Sequence, residues 1–245
     1  MKPKNVWIID NAFYMPQLAR WRRIWLYIPE DYAVSGKRYP VLYMHDGQNL
    51  FEQWSAFGEE WEVDETIDAM KEKCLVVGID NGLQYRLQEY NIHDHAENGK
   101  GQGKQYIEFI VQTLKPYIDT TYRTLSGKEH TYIAGSSMGG LISFYAGLLY
   151  PDTFGKTGVF SPSFWLHGDI IEDMTTAFKP ANENQRWYFY AGEREGGEMA
   201  ENTRRIAKAL RGKGLVVKEN YFQDGDHSEK DWREQFPDFY SWLLS

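Results

Sequence analysis

The pentapeptide Gly135-Ser136-Ser137-Met138-Gly139 fits the pattern G-x-S-x-G, and it falls between an apolar run over 131–134 and a segment with Leu141, Phe144, Tyr145 and Leu148 at helical spacing. A sharp strand-to-helix turn crowds the backbone on both sides of its central residue. Glycine at both flanks lets Ser137 take a strained conformation with its hydroxyl exposed. The N-terminus of the following helix adds free N–H groups and partial positive charge where an oxyanion develops. Such a turn suits nucleophilic attack on an acyl carbonyl.

Serine is a weak nucleophile near neutral pH and needs a base, itself oriented by an acid. A serine on this kind of turn implies the chain order serine, acid, histidine. The six histidines are His45, His93, His95, His130, His167 and His227. Only His167 and His227 follow Ser137, and only His227 follows the last expected strand, in the loop Asp224-Gly225-Asp226-His227-Ser228. Glu193 and Glu195 compete for the acid position just past a strand over 187–190. Glu195 is preferred because it lies deeper in the loop, with Glu193 as the alternative. The oxyanion donors expected are the N–H of Met138 and one from the turn His45-Asp46-Gly47-Gln48. Gln48 is chosen there because Gly47 permits close approach of the backbone.

The elements that must position these residues alternate. Strands are expected over 23–29, 41–44, 74–79, 131–134, 157–160, 187–190 and 216–222. Helices are expected over 63–70, 107–118, 141–148 and 200–210, with a last helix ending near 244. Short strands apolar on both faces, alternating with helices, predict an α/β fold with a mainly parallel central sheet. No repeat or linker breaks the pattern, so residues 1–245 are read as a single domain. A polar stretch over 80–103 has no clear period and holds Tyr85, Arg86, Tyr90, His93 and His95; loops of that length are often functional. Residues 161–184 also read as irregular. His93 and His95 flank Asp94 in an H-x-H pattern, but the segment reads as loop without further ligands, so no metal site is expected.

Composition narrows the function. The 245 residues are 42% hydrophobic and 25% charged, which excludes a disordered or fibrous chain. A formal net charge of −8 makes a poor nucleic-acid binder, whose affinity comes largely from neutralising phosphates. Cys74 is the only cysteine, so neither an intramolecular disulfide nor a cysteine-rich metal site can form. The first ten residues lack the apolar run of a signal peptide, and nothing approaches the roughly 18 to 20 apolar residues of a membrane span. The expected location is the cytoplasm, or the chain is a mature secreted form without its leader. Aromatic residues make up 16% of the chain. Phe51, Trp54, Trp61, Tyr85, Tyr90, Phe164, Trp165 and Trp232 cluster in sequence near the expected site, where rings can stack on a sugar or a phenolic acyl group as well as fill a core.

Several segments together resemble the putative-esterase family of α/β-hydrolases, which includes feruloyl and acetylxylan esterases, siderophore esterases, S-formylglutathione hydrolases and mycolyltransferases. They are Tyr43 to Phe51, Gly78 to Gly82 with Arg86 and Glu89-Tyr90, the Ser137 turn, Ser161 to Trp165, Gly192 to Glu195, and Gly225 to Trp232. The resemblance runs from about Arg23 to Leu244. It implies an α/β-hydrolase fold with helices on both faces of the sheet, Ser137 as nucleophile, His227 as general base and then acid, and Glu195 at a position where many relatives have Asp. It also implies that loops around Arg86, Tyr90, Trp165 and Trp54 border the substrate. The implied activity is a serine esterase that needs no cofactor, acting on acetyl or feruloyl esters of carbohydrates. A siderophore trilactone esterase, an acyltransferase to sugars, and a non-catalytic carbohydrate-binding protein on the same scaffold are the alternatives.

Overall fold

The computed structural model describes residues 5–180, 185–196 and 198–245. Its strands are β1 (Val6–Met15), β2 (Arg20–Tyr27), β3 (Val41–His45), β4 (Leu75–Ile79), β5 (Thr131–Ser136), β6 (Lys156–Phe160), β7 (Arg186–Gly192) and β8 (Val216–Phe222). They form one sheet in the order β1-β2-β4-β3-β5-β6-β7-β8. The pairs β1/β2 and β2/β4 are antiparallel, and the others are parallel. The α-helices are α1 (Tyr32–Ser35), α2 (Val63–Ala69), α3 (Arg86–Glu89), α4 (Gly103–Phe109), α5 (Lys115–Thr121), α6 (Met138–Leu149), α7 (Gly168–Ala177), α8 (Met199–Arg211) and α9 (Glu229–Leu243).

Successive strand side chains point to opposite faces, and both faces here are covered. Val41 and Tyr43 of β3 join a core built with α4, α5, α6 and α8. Leu42 and Met44 join a second core with Val63 and Ile67 of α2 and Phe236, Phe239 and Tyr240 of α9. This is the mainly parallel α/β fold that the sequence predicts, with helices on both faces.

Three segments differ from expectation. Residues 6–15 form an edge strand, β1, whose pairing with β2 shifts register twice; with one partner and several exposed side chains, it carries no clean alternation. The segment expected to be irregular contains α7, which buries only Ile171 and Thr175 and therefore shows little apolar period; residues 181–184 lie outside the described residues. Within 80–103, α3 is held by charge rather than by apolar spacing. Its Glu89 is fully buried and accepts from Arg22 Nη2 at 2.7 Å and Arg20 Nη1 at 2.7 Å.

The topology brings the turns after β3, β5, β6, β7 and β8 to one edge, the carboxyl ends of the parallel strands. Ligands of open α/β sheets bind at that edge.

Candidate active site

Ser137 is the residue between β5 and α6, with φ 57° and ψ −122°. Its N–H donates to Phe160 O at 2.9 Å, and its carbonyl accepts from Leu141 N at 3.0 Å and Ser163 N at 3.2 Å. The flanking glycines leave little room for a side chain. A Cβ on Gly135 would lie 2.8 Å from the carbonyl carbon of Gly139, and one on Gly139 would lie 3.1 Å from Asp46 Oδ2. Met138 opens α6, so its N–H stands outside the helical ladder and is free for an oxyanion.

The loops after β7 and β8 meet through two glycines. A Cβ on Gly192 would come within 2.2 Å of Gly225 O. This close approach sets Glu195 against His227, whose Nδ1 donates to Glu195 Oε2 at 2.9 Å. The Glu195 side chain is fully buried. Its other oxygen, Oε1, accepts from Ser161 Oγ at 2.6 Å and Gly192 N at 2.6 Å. A carboxylate on Nδ1 places the imidazole proton there and leaves Nε2 as an acceptor. Trp232 completes the support: its Nε1 donates to Ser161 Oγ at 2.9 Å, and its ring stands edge-on to His227 at 5.0 Å. Glu193 instead pairs with Arg204 on the surface.

Ser137 and His227 both line a cavity of about 1190 Å³. Gln48 lines it as well, on a turn whose Asp46 has φ 54°. Gln48 Oε1 accepts from Asn81 N at 3.1 Å, while its own N–H has no acceptor among the described residues. Asp46 fastens the turn from below, accepting from Arg86 Nε at 2.8 Å, Arg86 Nη2 at 2.9 Å and Asn81 Nδ2 at 2.8 Å. Burial works to raise the Asp46 carboxyl, but Arg86, with help from Asn81 and His45, holds the group below the usual range. Gly47 is packed on the backbone of β4, where a Cβ would lie 2.7 Å from Gly78 C.

Of the residues expected to border the substrate, only Arg86 lines the cavity, and its guanidinium is already committed to Asp46. Tyr90 is fully buried beneath the turn and accepts from Asp46 N at 3.2 Å, so it supports the turn from inside. Trp54 and Trp165, 64% and 61% exposed, lie off the cavity. The rings that line it are those of Trp21, Phe57, Tyr85 and Trp232. Sequence reasoning also missed Ser161, Asp46 and Glu229 as parts of the site. A usable signal for Ser161 and Trp232 was their place in the quoted segments after β6 and β8; Trp21 offered none, because the strand was expected to begin at 23.

Strain points to the same place. Among the described residues six non-glycine residues have positive φ, and four of them, Ala19, Asp46, Leu83 and Ser137, line the cavity. A fifth, Ser161, holds Glu195. Strained backbone concentrates where function over-determines it. His93 and His95 sit elsewhere, their rings 5.3 Å and 5.9 Å from that of His167. No group of three potential ligands able to hold a metal occurs among the described residues.

A family model described as "Putative esterase" matches residues 16–243. The chain belongs to the putative esterase family. It is therefore a carboxylic ester hydrolase. It is 26% identical over 238 residues to the Bacillus subtilis protein YbbA, covering 91% of this chain and 92% of that one. Among solved structures, a ferulic acid esterase superimposes with a TM-score of 0.75 at 17% identity, over 98% of each chain. The enterobactin esterase FES from Shigella flexneri superimposes with a TM-score of 0.77 at 22% identity, covering 99% of this chain and 58% of that one. At these identities the structural likeness establishes the esterase fold.

Proposed function

We propose that this esterase is a serine hydrolase in which Ser137 attacks the ester, His227 moves the proton, and Glu195 orients and charge-balances His227. The observation that carries this reading is the hydrogen-bonded series Trp232, Ser161, Glu195, His227, which ends in the cavity lined by the strained Ser137. His227 Nε2 takes the Ser137 proton as the hydroxyl adds to the carbonyl. The resulting oxyanion is met by the N–H groups of Met138 and Gln48. His227 then protonates the departing alcohol, and water repeats the sequence on the acyl-enzyme. Neither a metal nor an organic cofactor takes part in these steps. A binding-only role is disfavoured, because a silenced scaffold has no use for a buried acid held by three donors behind a strained serine.

Acyl esters of carbohydrates are the substrate class this cavity fits best. It is far larger than an acetyl group, and Trp21, Tyr85 and Trp232 give it flat surfaces for a phenolic acyl group or a sugar ring. The likeness to a ferulic acid esterase agrees. A siderophore trilactone is the second reading, favoured by the four arginines that line the cavity in a chain of net charge −8. Each of those arginines already engages a carboxylate: Arg20 and Arg22 share Glu89, Arg23 holds Asp80, and Arg86 holds Asp46. With no uncommitted guanidinium, the wall favours neutral esters over anionic chelates. The test is release of p-nitrophenol from p-nitrophenyl acetate, then rates on acetylated xylan, methyl ferulate and a siderophore trilactone. Ser137→Ala abolishes the release if the reading is right; undiminished release refutes it.

A further inference from the structure

Two sets of segments wall the cavity, each tied internally. On one side Arg23 Nε pairs with Asp80 Oδ2 at 2.6 Å and the Arg20 guanidinium lies 3.8 Å over the Tyr85 ring, joining β2 to the 80–89 loop. On the other side Asn49 Nδ2 donates to Glu229 Oε1 at 3.3 Å, and Asn49 Oδ1 accepts from Phe57 N at 2.9 Å. Arg233 Nη1 donates to Glu60 O at 3.0 Å, so the 49–60 segment is fastened to the start of α9. His227 belongs to this second wall. Because His227 must hand a proton to the departing alkoxide, the alcohol half of the ester lies along the wall that carries it.

Glu229 is the carboxyl of that wall that lines the cavity. It is half-buried; Oε1 accepts from Asn49 Nδ2, the residue's own backbone N–H also donates to the carboxyl, and Oε2 borders the open space beside Gly58, where a Cβ would lie 3.9 Å from it. Burial, aided by the charge of Asp46, raises this carboxyl, while its own backbone N–H, His227 and Arg86 pull it the other way. A carboxylate only accepts hydrogen bonds. With two donors for about four acceptor sites, it can take a further hydrogen bond from a hydroxyl-rich alcohol, a plain alkyl alcohol offers none, and an anionic alcohol is repelled.

We propose that Glu229 determines specificity for the alcohol half of the ester, accepting a hydrogen bond from a hydroxyl of the leaving group and so selecting polyol esters. The proposal deepens the serine-hydrolase reading above and rests on it.

The experiment compares kcat/KM for three esters with one acyl group: 6-O-acetylglucose, ethyl acetate and O-acetyl-lactate. Glu229→Ala lowers the ratio of 6-O-acetylglucose to ethyl acetate about tenfold or more, the usual worth of a hydrogen bond to a charged group. Glu229→Gln keeps an acceptor oxygen, retains that ratio to within about threefold, and raises O-acetyl-lactate relative to ethyl acetate as the repulsion goes. An unchanged ratio in Glu229→Ala, or an equal fall on all three esters in both variants, overturns the proposal. A Ser137→Ala chain as active as wild type on these esters contradicts the underlying serine-hydrolase reading, a result distinct from either.

Discussion

Replacing Glu195 by Gln tests the orientation of His227 without changing shape. Oε1 of Glu195 accepts from two donors, Ser161 Oγ and Gly192 N, so the amide oxygen of the variant must take that position. Its NH2 group then faces His227 Nδ1, which in the native protein donates to Oε2 at 2.9 Å. Two donors cannot share that contact. The imidazole responds by placing its proton on Nε2, which removes the acceptor needed for the Ser137 proton. Trapping the wrong tautomer in a serine triad costs on the order of 10³ to 10⁴ in kcat. At about 1.4 kcal/mol per factor of ten, that is roughly 4 to 5.5 kcal/mol of transition-state stabilisation. Steady-state release of p-nitrophenol from p-nitrophenyl acetate measures it, with circular dichroism to show that the variant is folded. A folded Glu195→Gln variant within tenfold of wild-type kcat refutes the reasoning, because the carboxylate would then be a structural anchor for the β7 loop alone.

Three other perturbations have expected outcomes. Gly47→Ala drives a methyl into the β4 backbone, 2.7 Å from Gly78 C, and displaces the turn that presents Gln48; losing one oxyanion donor lowers kcat by about 10² or more with little change in KM, read from the same assay. Burial pushes His45 down from its ordinary value of 6.5 to about 3, so it stays neutral in the fold while the unfolded chain takes up a proton; the stability this group contributes is present above pH 6.5 and is lost as pH falls toward 3. Urea unfolding at pH 6.5 and 4.5 should therefore show wild type losing about 2 kcal/mol more than His45→Asn across that interval. Trp232→Phe removes the donor to Ser161 Oγ, costing about 1 kcal/mol of stability by thermal or urea unfolding and less than tenfold in kcat.

Much of the framework was legible because the central parallel strands β3 to β7 are short and buried, while antiparallel β2 was read from its β-branched and aromatic residues closed by Pro29. The turn at Ser137 was legible for a steric reason, since a Cβ at 135 would run into the Gly139 backbone and one at 139 would crowd Asp46 and His45. The structure also sets the preferred Glu195, and not Glu193, against His227. What escaped was whatever depends on distant partners. Edge strand β1 and helix α7 bury too few side chains to show a period, and α3 stands on the pairing of Glu89 with Arg20 and Arg22, more than 60 residues away in the chain. Of the four rings that line the cavity, Tyr85 and Trp232 were among the aromatics the sequence put near the site, while Trp21 and Phe57 escaped. Tyr90, Trp54 and Trp165 are near expected site segments along the chain, whereas Trp21 lines the cavity from β2, distant from them in sequence. An aromatic on a loop near a motif has no way of declaring whether it faces the cavity, the core or solvent.

The most direct measurement is the intact mass of the protein after brief exposure to a fluorophosphonate, followed by peptide mapping. A single adduct on Ser137, absent from Ser137→Ala and slowed in Glu195→Gln, is the result expected of an activated serine in this cavity. An unmodified folded protein, or an adduct on any other residue, would contradict the assignment of Ser137 as the nucleophile.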